Sequence, residues 1–140
     1  MTDLASATVT RLQAAPAPFR HVAGAREFLG LVSPPVDKMP AAFVLPFRER
    51  YGENGLVNGV RIAGTEEVAI VLMVAVKAGT GADVHNPIAA PRSALIARLL
   101  GWQPDPEDGE MLLASGELLD AQPTHLSYQF VFRRDHTERS

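Results

Sequence analysis

The sequence contains no cysteine, which excludes disulfides, thiolate catalysis and thiolate metal sites. It also lacks a basic excess, because 13 Lys and Arg stand against 16 Asp and Glu and leave a net charge of −3. The basic residues are scattered, with Arg48/Arg50 and Arg133/Arg134 as the close pairs. This distribution disfavours sequence-independent binding to phosphates, so no specific nucleic-acid binding is expected.

Long hydrophobic runs are absent as well. The longest strongly apolar run is Val68–Val76, far short of the ~20 residues that span a bilayer. Met1–Ala14 lacks the basic-then-apolar pattern of a signal peptide. We therefore expect a soluble, unexported protein with no membrane partner. The 140 residues, 46% of them hydrophobic, suit a single domain over residues 1–140 with its own core.

The spacing of apolar residues predicts the order of helices and strands. Helices are predicted at Met1–Ala15, Gly24–Val32 and Asn86–Gly101. Strands are predicted at Phe19–Val22, Ala41–Leu45, Val68–Val76, Met111–Ala114, Glu117–Asp120 and His125–Arg133. Since Val68–Val76 is apolar on both faces, it should be a central strand covered on both sides. The predicted fold class is α+β, a single domain with a mainly antiparallel sheet and helices packed against it.

Four polar segments are predicted to be irregular. Phe47–Asn58 is punctuated by Gly and Asn and indicates a loop or a hairpin tip. Lys77–Ala82 is a glycine-containing turn, and Gln103–Gly109 is an acidic loop. The acidic cluster there, which consists of Asp105, Glu107, Asp108 and Glu110, is predicted to be solvated. Asp135–Ser140 is predicted to be a frayed polar tail.

No pattern in the sequence predicts catalytic, metal-binding or cofactor-binding residues. The serines lack a nucleophile-elbow context, and the glycine-rich Lys77–Asp83 lacks the order of residues in a phosphate-binding loop. None of the histidines pairs with another at helical spacing; they are His21, His85, His125 and His136. An alternative, a small enzyme or ligand-binding domain, would require a cleft that gathers polar groups such as His21, Asp37 and His125.

One polar segment differs from the others in composition. Phe47, Arg48, Arg50 and Tyr51 combine aromatic rings with guanidinium groups beside glycine hinges. Arg and Tyr are enriched at protein interfaces. These four residues form the candidate interface with another protein.

The ordered set of segments resembles a known family. It consists of the N-terminal helix, PAAFVLPFRER at Pro40–Arg50 before a Gly/Asn-rich hairpin, EEVAIVLMVAV at Glu66–Val76, LIARLLGWQP at Leu95–Pro104, and ASGELLD at Ala114–Asp120 before an aromatic strand. In this order, over nearly the whole chain, it resembles the small α+β type of phage tail terminator (tail completion) protein.

The resemblance implies a structural protein of the virion without catalysis or cofactor. Such proteins form a ring, typically six-fold, at the head-proximal end of the tail tube, and they are assembled in the host cytoplasm. The implied partners are further copies of the same chain, the tail tube protein and the head–tail connector or stopper protein. Another head–tail joining component, such as a stopper or a tube relative, remains an alternative.

Overall fold

The computed structural model describes residues 3–56, 59–76 and 86–139. The elements, in chain order, are α1 (Leu4–Ala14), β1 (His21–Gly24), α2 (Ala25–Leu29), β2 (Ala41–Asn54), β3 (Arg61–Ala75), α3 (Ala89–Leu99), β4 (Leu112–Ala121) and β5 (His125–Arg139). A short 3₁₀ turn at Val36–Lys38 precedes β2. The predicted turn Lys77–Ala82 and the histidine at position 85 lie outside the described residues.

The strands form one five-stranded sheet in the order β1-β2-β3-β5-β4. β1 runs parallel to β2, whereas the other three neighbouring pairs are antiparallel. This arrangement confirms the predicted α+β class with a mainly antiparallel sheet. β3 lies between the two other longest strands, and Val68–Leu72 is buried throughout, which confirms that Val68–Val76 marks a central strand.

The two faces of the sheet are covered to different extents. On what we term the helical face, Val68, Ile70, Leu72 and Val74 pack against apolar residues of α1 and α3, which are Leu4, Leu12, Leu95 and Leu99. On the opposite face, which we term the open face, α2 covers one end only, where Phe28 packs on Phe43 and Val71. The core therefore lies mainly between the sheet and α1 and α3.

Side-chain contacts fix the start of α1 and the position of Trp102, which follows α3. Asp3 caps α1 by accepting a hydrogen bond from the Ser6 N–H at 3.3 Å, as short polar side chains do at helix starts. Trp102 is half-buried against the core, and the guanidinium of Arg11 lies 4.8 Å from its ring centre. Trp102 therefore folds back on the domain.

The prediction that Phe47–Asn58 is a loop or hairpin tip is wrong for most of the segment. β2 continues to Asn54 and pairs with β3, after a register shift between Pro46 and Arg48. A polar, glycine-containing segment can remain extended here because β3 supplies the backbone hydrogen-bond partners. The turn itself is restricted to the residues between Asn54 and Arg61, of which 57 and 58 are outside the described residues.

Two further boundary predictions are wrong for the same reason. β4 is one strand through Ser115 and Gly116, with register shifts against β5 on either side. β5 continues to Arg139 instead of fraying after Arg133, because β3 pairs with it along its entire length. Backbone pairing with a neighbour thus decides strand length where the side-chain pattern is weak.

Candidate assembly interface

β2, β3 and β5 extend well past the helices and form a three-stranded extension of the sheet. We term this extension the distal sheet; it comprises residues 48–54, 61–67 and 133–139. Residues directly opposite one another in a sheet project from the same face. The register therefore assigns each candidate side chain of the distal sheet to the helical face or to the open face.

Arg48 and Arg50 project from the open face of the distal sheet. Arg48 lies opposite Glu67, and Arg50 lies opposite Thr65. The Arg48 guanidinium stacks 5.3 Å from the ring centre of Phe47, and that ring is 44% exposed beside the register shift. No element of the described structure covers this surface, so these three side chains are available to a partner.

Tyr51 lies on the other face. It is opposite Gly64, and its hydroxyl oxygen is 3.1 Å from Glu49 Oε1 and 3.4 Å from Glu138 Oε1. Burial and the hydrogen bond to Glu49 raise the pKa of Tyr51, and the negative charge of Glu138 adds to the effect. The structure therefore separates Tyr51 from Arg48 and Arg50, although Tyr51 remains 39% exposed.

Gly64 permits the ring of Tyr51 to lie across the sheet. A Cβ at position 64 would meet the Tyr51 ring and the backbone carbonyl of Arg50, both well inside contact distance. Glycine is the residue that admits so close an approach of neighbouring groups. Gly64, within the distal part of β3, thus leaves space for its cross-strand neighbour Tyr51.

Arg134 is the centre of a buried ionic cluster on the helical face of the distal sheet. Its Nε and Nη2 donate to Glu66 Oε1 at 2.9 and 2.7 Å, and its Nη1 donates to Asp105 Oδ2 at 2.8 Å. Asp108 Oδ2 lies 3.5 Å from the same Nη1. Arg134 is only 1% exposed, so these carboxylates supply the compensation that a buried guanidinium requires.

His136, two residues after Arg134 on the same face of β5, extends the cluster. Its Nδ1 is 3.0 Å from Asp108 Oδ2 and its Nε2 is 3.0 Å from Glu138 Oε1. Ionised carboxylates only accept hydrogen bonds, so the imidazolium, which carries a proton on both ring nitrogens, is the form that satisfies both contacts. Burial acts to lower the pKa of His136, but the hydrogen bonds to Asp108 and Glu138 outweigh burial and raise the pKa.

The prediction that the acidic loop is merely solvated is therefore wrong for two of its residues. Asp105 and Asp108 turn inward to Arg134 and His136, and the Gly109 N–H donates to the Asp135 carbonyl at 2.9 Å. The sequence contained a signal for this. The alternation that buries Phe130 and Phe132 continues in phase to positions 134 and 136, so charged groups there would need buried partners.

The histidines that lie nearer the core do not converge on a cleft. His21 bonds Glu27 at 2.7 Å on the first strand of the sheet, whereas His125 contacts Thr124 three strands away on β5. Among residues 3–56, 59–76 and 86–139, no group of His, Asp and Glu is arranged to hold a metal ion. A groove of about 670 Å³ beside α1 is lined by Arg11, Arg98 and Trp102, with mostly small or apolar neighbours.

A family model described as phage tail terminator protein matches residues 2–140. The chain belongs to the phage tail terminator family. The match spans the distal sheet and the helices alike. A search of curated proteins finds no significant match.

Membership of the tail terminator family establishes a coarse role. This family member is a structural protein of phage tail assembly and a component of the virion tail, with other tail or head proteins as its partners. The family is not known as an enzyme family. No helix in the described part of the chain is long and apolar enough to cross a membrane.

Proposed function

We propose that the chain forms a closed ring on the head-proximal end of the tail tube, where it ends tube polymerisation and joins the tail to the head connector or stopper. The observation that carries this proposal is the family match over residues 2–140. The proposed partners are further copies of the chain, the tail tube protein and the connector, and the ring is assembled in the host cytoplasm. The resemblance implies six subunits.

The shape of the domain supports an assembly role. The distal sheet extends beyond the core and exposes Arg48 and Arg50 on its open face, and Phe47 is exposed beside them. Exposed aromatic and Arg side chains at the centre of a surface are favoured as interface anchors. We place the contact with a neighbouring subunit or tube protein there, with Tyr51 contributing its partly exposed ring from the other face.

A capping assay tests the function directly. Tail tube protein is polymerised with and without the purified chain, and tube lengths and ends are examined by negative-stain electron microscopy. We expect shorter tubes with gold-labelled antibody against the chain at one end only. If the tubes elongate as before at a saturating concentration of the purified protein, and no antibody labels their ends, the capping role is refuted and another head–tail joining component is favoured.

The candidate interface is tested in the same assay by separating its two faces. The double variant Arg48→Ala/Arg50→Ala removes only the open-face cations, and we expect it to reduce capping by about tenfold or more, as interface anchors do. Tyr51→Phe is the matched helical-face variant and should retain most capping. Full capping by a triple alanine variant of Arg48, Arg50 and Tyr51 would exclude this segment from the interface.

A further inference from the structure

The open face of the distal sheet has an unusual concentration of arginine. Arginines from three strands share this face according to the register, namely Arg48, Arg50, Arg61, Arg133 and Arg139. We term this set the arginine face. All five side chains are exposed, and none of the ion pairs in the described part of the chain involves them.

The arrangement is electrostatically costly for the isolated domain. Arg61 lies directly opposite Arg139, and like charges in that position destabilise a sheet. The carboxylates at register positions of this face are Glu67 and Asp135, and Glu53 lies at the register shift opposite Ala63. With all three counted, the face has a net charge of 5 − 3 = +2. The rest of the chain carries 13 − 5 = 8 bases against 16 − 3 = 13 acids, a net charge of −5.

The apolar rim of the arginine face favours a protein partner over a nucleic acid. Phe47 borders one side at 44% exposed, and Leu112, opposite Arg133, borders the other at 43%. Phosphate binding uses cations and hydrogen-bond donors and gains nothing from exposed leucine. Arg and aromatic groups beside apolar side chains are the composition of a protein interface.

β4 offers the complementary surface. It pairs only with β5 in the described sheet. Beyond Leu112, which borders the arginine face, its residues 113–121 include Glu117 and Asp120 but no Lys, Arg or Pro. Leu118 and Leu119 are 53% and 47% exposed. A long edge strand with exposed leucines and no basic residue or proline is a surface that proteins usually cover.

We propose that the arginine face of one copy docks on the acidic, leucine-bearing β4 edge of the next copy. The two surfaces are different parts of one chain, so the contact is head-to-tail, the type that generates rings. This inference rests on the proposed ring. It adds to that proposal the two surfaces that meet and the charge complementarity that selects them.

Charge reversal on each surface tests the pairing. Variant A is Arg61→Glu/Arg139→Glu, variant B is Glu117→Lys/Asp120→Lys, and variant AB combines the four substitutions. Association is measured by sedimentation velocity on the full chain, near 0.1 M and near 1 M salt, where the screening length falls from ~10 to ~3 Å. Arg26→Glu/Arg92→Glu, at exposed sites outside both surfaces, matches the charge change of variant A.

We expect wild type to associate in low salt and to dissociate as salt rises. Variants A and B should each associate about tenfold or more weakly, because like charges then oppose one another across the contact. Variant AB should recover association, because its reversed face meets a reversed β4 edge. An equimolar mixture of A and B should also recover it, because the altered surface of each variant then meets the altered surface of the other, which has the opposite charge. The Arg26/Arg92 control should associate like wild type.

Several outcomes would overturn the pairing. Wild type that stays monomeric in low salt, association unaffected in A and B, or failure of both AB and the mixture would each do so. If A loses binding to fluorescent duplex DNA while its self-association is unchanged, the arginine face is a nucleic-acid surface instead. Loss of the pairing with capping intact leaves the proposed function standing, whereas a wild type that fails to cap tubes refutes that function separately.

Discussion

The helical face of the sheet is buried at both ends, but by different chemistry. Near the helices, Ile70 and Leu72 pack among hydrocarbon side chains of α1 and α3. In the distal sheet, Arg134 and His136 occupy the equivalent positions and are buried among carboxylates. Hydrophobic packing tolerates approximate partners of suitable volume, whereas a buried charge depends on every one of its partners. The two ends should therefore respond differently to substitution.

The largest expected effect comes from removing the charge at the centre of the ionic end. Arg134→Leu leaves Glu66, Asp105 and Asp108 close together without their cation, and we expect a loss of about 3–5 kcal/mol in the free energy of unfolding. Urea unfolding followed by circular dichroism measures it. Leu72→Ala at the apolar end should cost about 2–5 kcal/mol through the cavity it creates.

The neighbouring residue provides a control for the Arg134 prediction. Arg133 is exposed on the open face, so Arg133→Leu should change the free energy of unfolding by less than about 0.5 kcal/mol. A cost for Arg134→Leu no greater than that of Arg133→Leu would mean that the ionic cluster does not stabilise the distal sheet.

A smaller effect is expected where the distal sheet depends on close backbone approach. Gly64→Ala places a methyl group against the Tyr51 ring and the Arg50 carbonyl, and we expect a cost of about 1–3 kcal/mol from overpacking. The same unfolding measurement applies. Gly52→Ala is a suitable comparison, because its added Cβ makes only an ordinary contact of 3.6 Å with the Ala63 carbonyl; equal costs would remove the special role of Gly64.

The smallest expected effect is a dependence on pH that the apolar end does not share. The raised pKa of His136 means that its contribution is fully present below its unfolded pKa of about 6.5 and is lost as pH rises through the folded pKa. The groups facing it are Asp108, Glu138 and Glu66 as carboxylates, and Tyr51 by its ring.

Unfolding measured between about pH 6 and pH 9 tests this prediction. Wild type should lose stability across the interval, and His136→Gln should flatten the change, since the glutamine side chain does not titrate. His21→Gln is the matched control, because that imidazole bonds Glu27 far from the cluster. If the loss of stability with rising pH persists in His136→Gln and disappears in His21→Gln, His136 is not its cause and the prediction is wrong.

The candidate site was predicted in part. The side-chain types in Phe47–Tyr51 indicated an interface segment, but no local pattern showed that β2 continues through it and sends Tyr51 to the opposite face. Arg61 and Arg139 were not predicted as members of the same surface. They are 78 residues apart in the sequence and become neighbours only because β3 pairs with β5.

The sequence by itself determined the fold class and the central strand, because the periodicity of apolar residues indicates which side chains are buried. It also showed the family resemblance, because that resemblance depends on short sequence segments and on their order along the chain. Only the tertiary structure decided how far β2 and β5 extend, which carboxylates reach Arg134 and His136, and which arginines share a face. Those features depend on pairing between distant segments, and a polar residue in a sequence does not specify whether water or another buried charge is its partner.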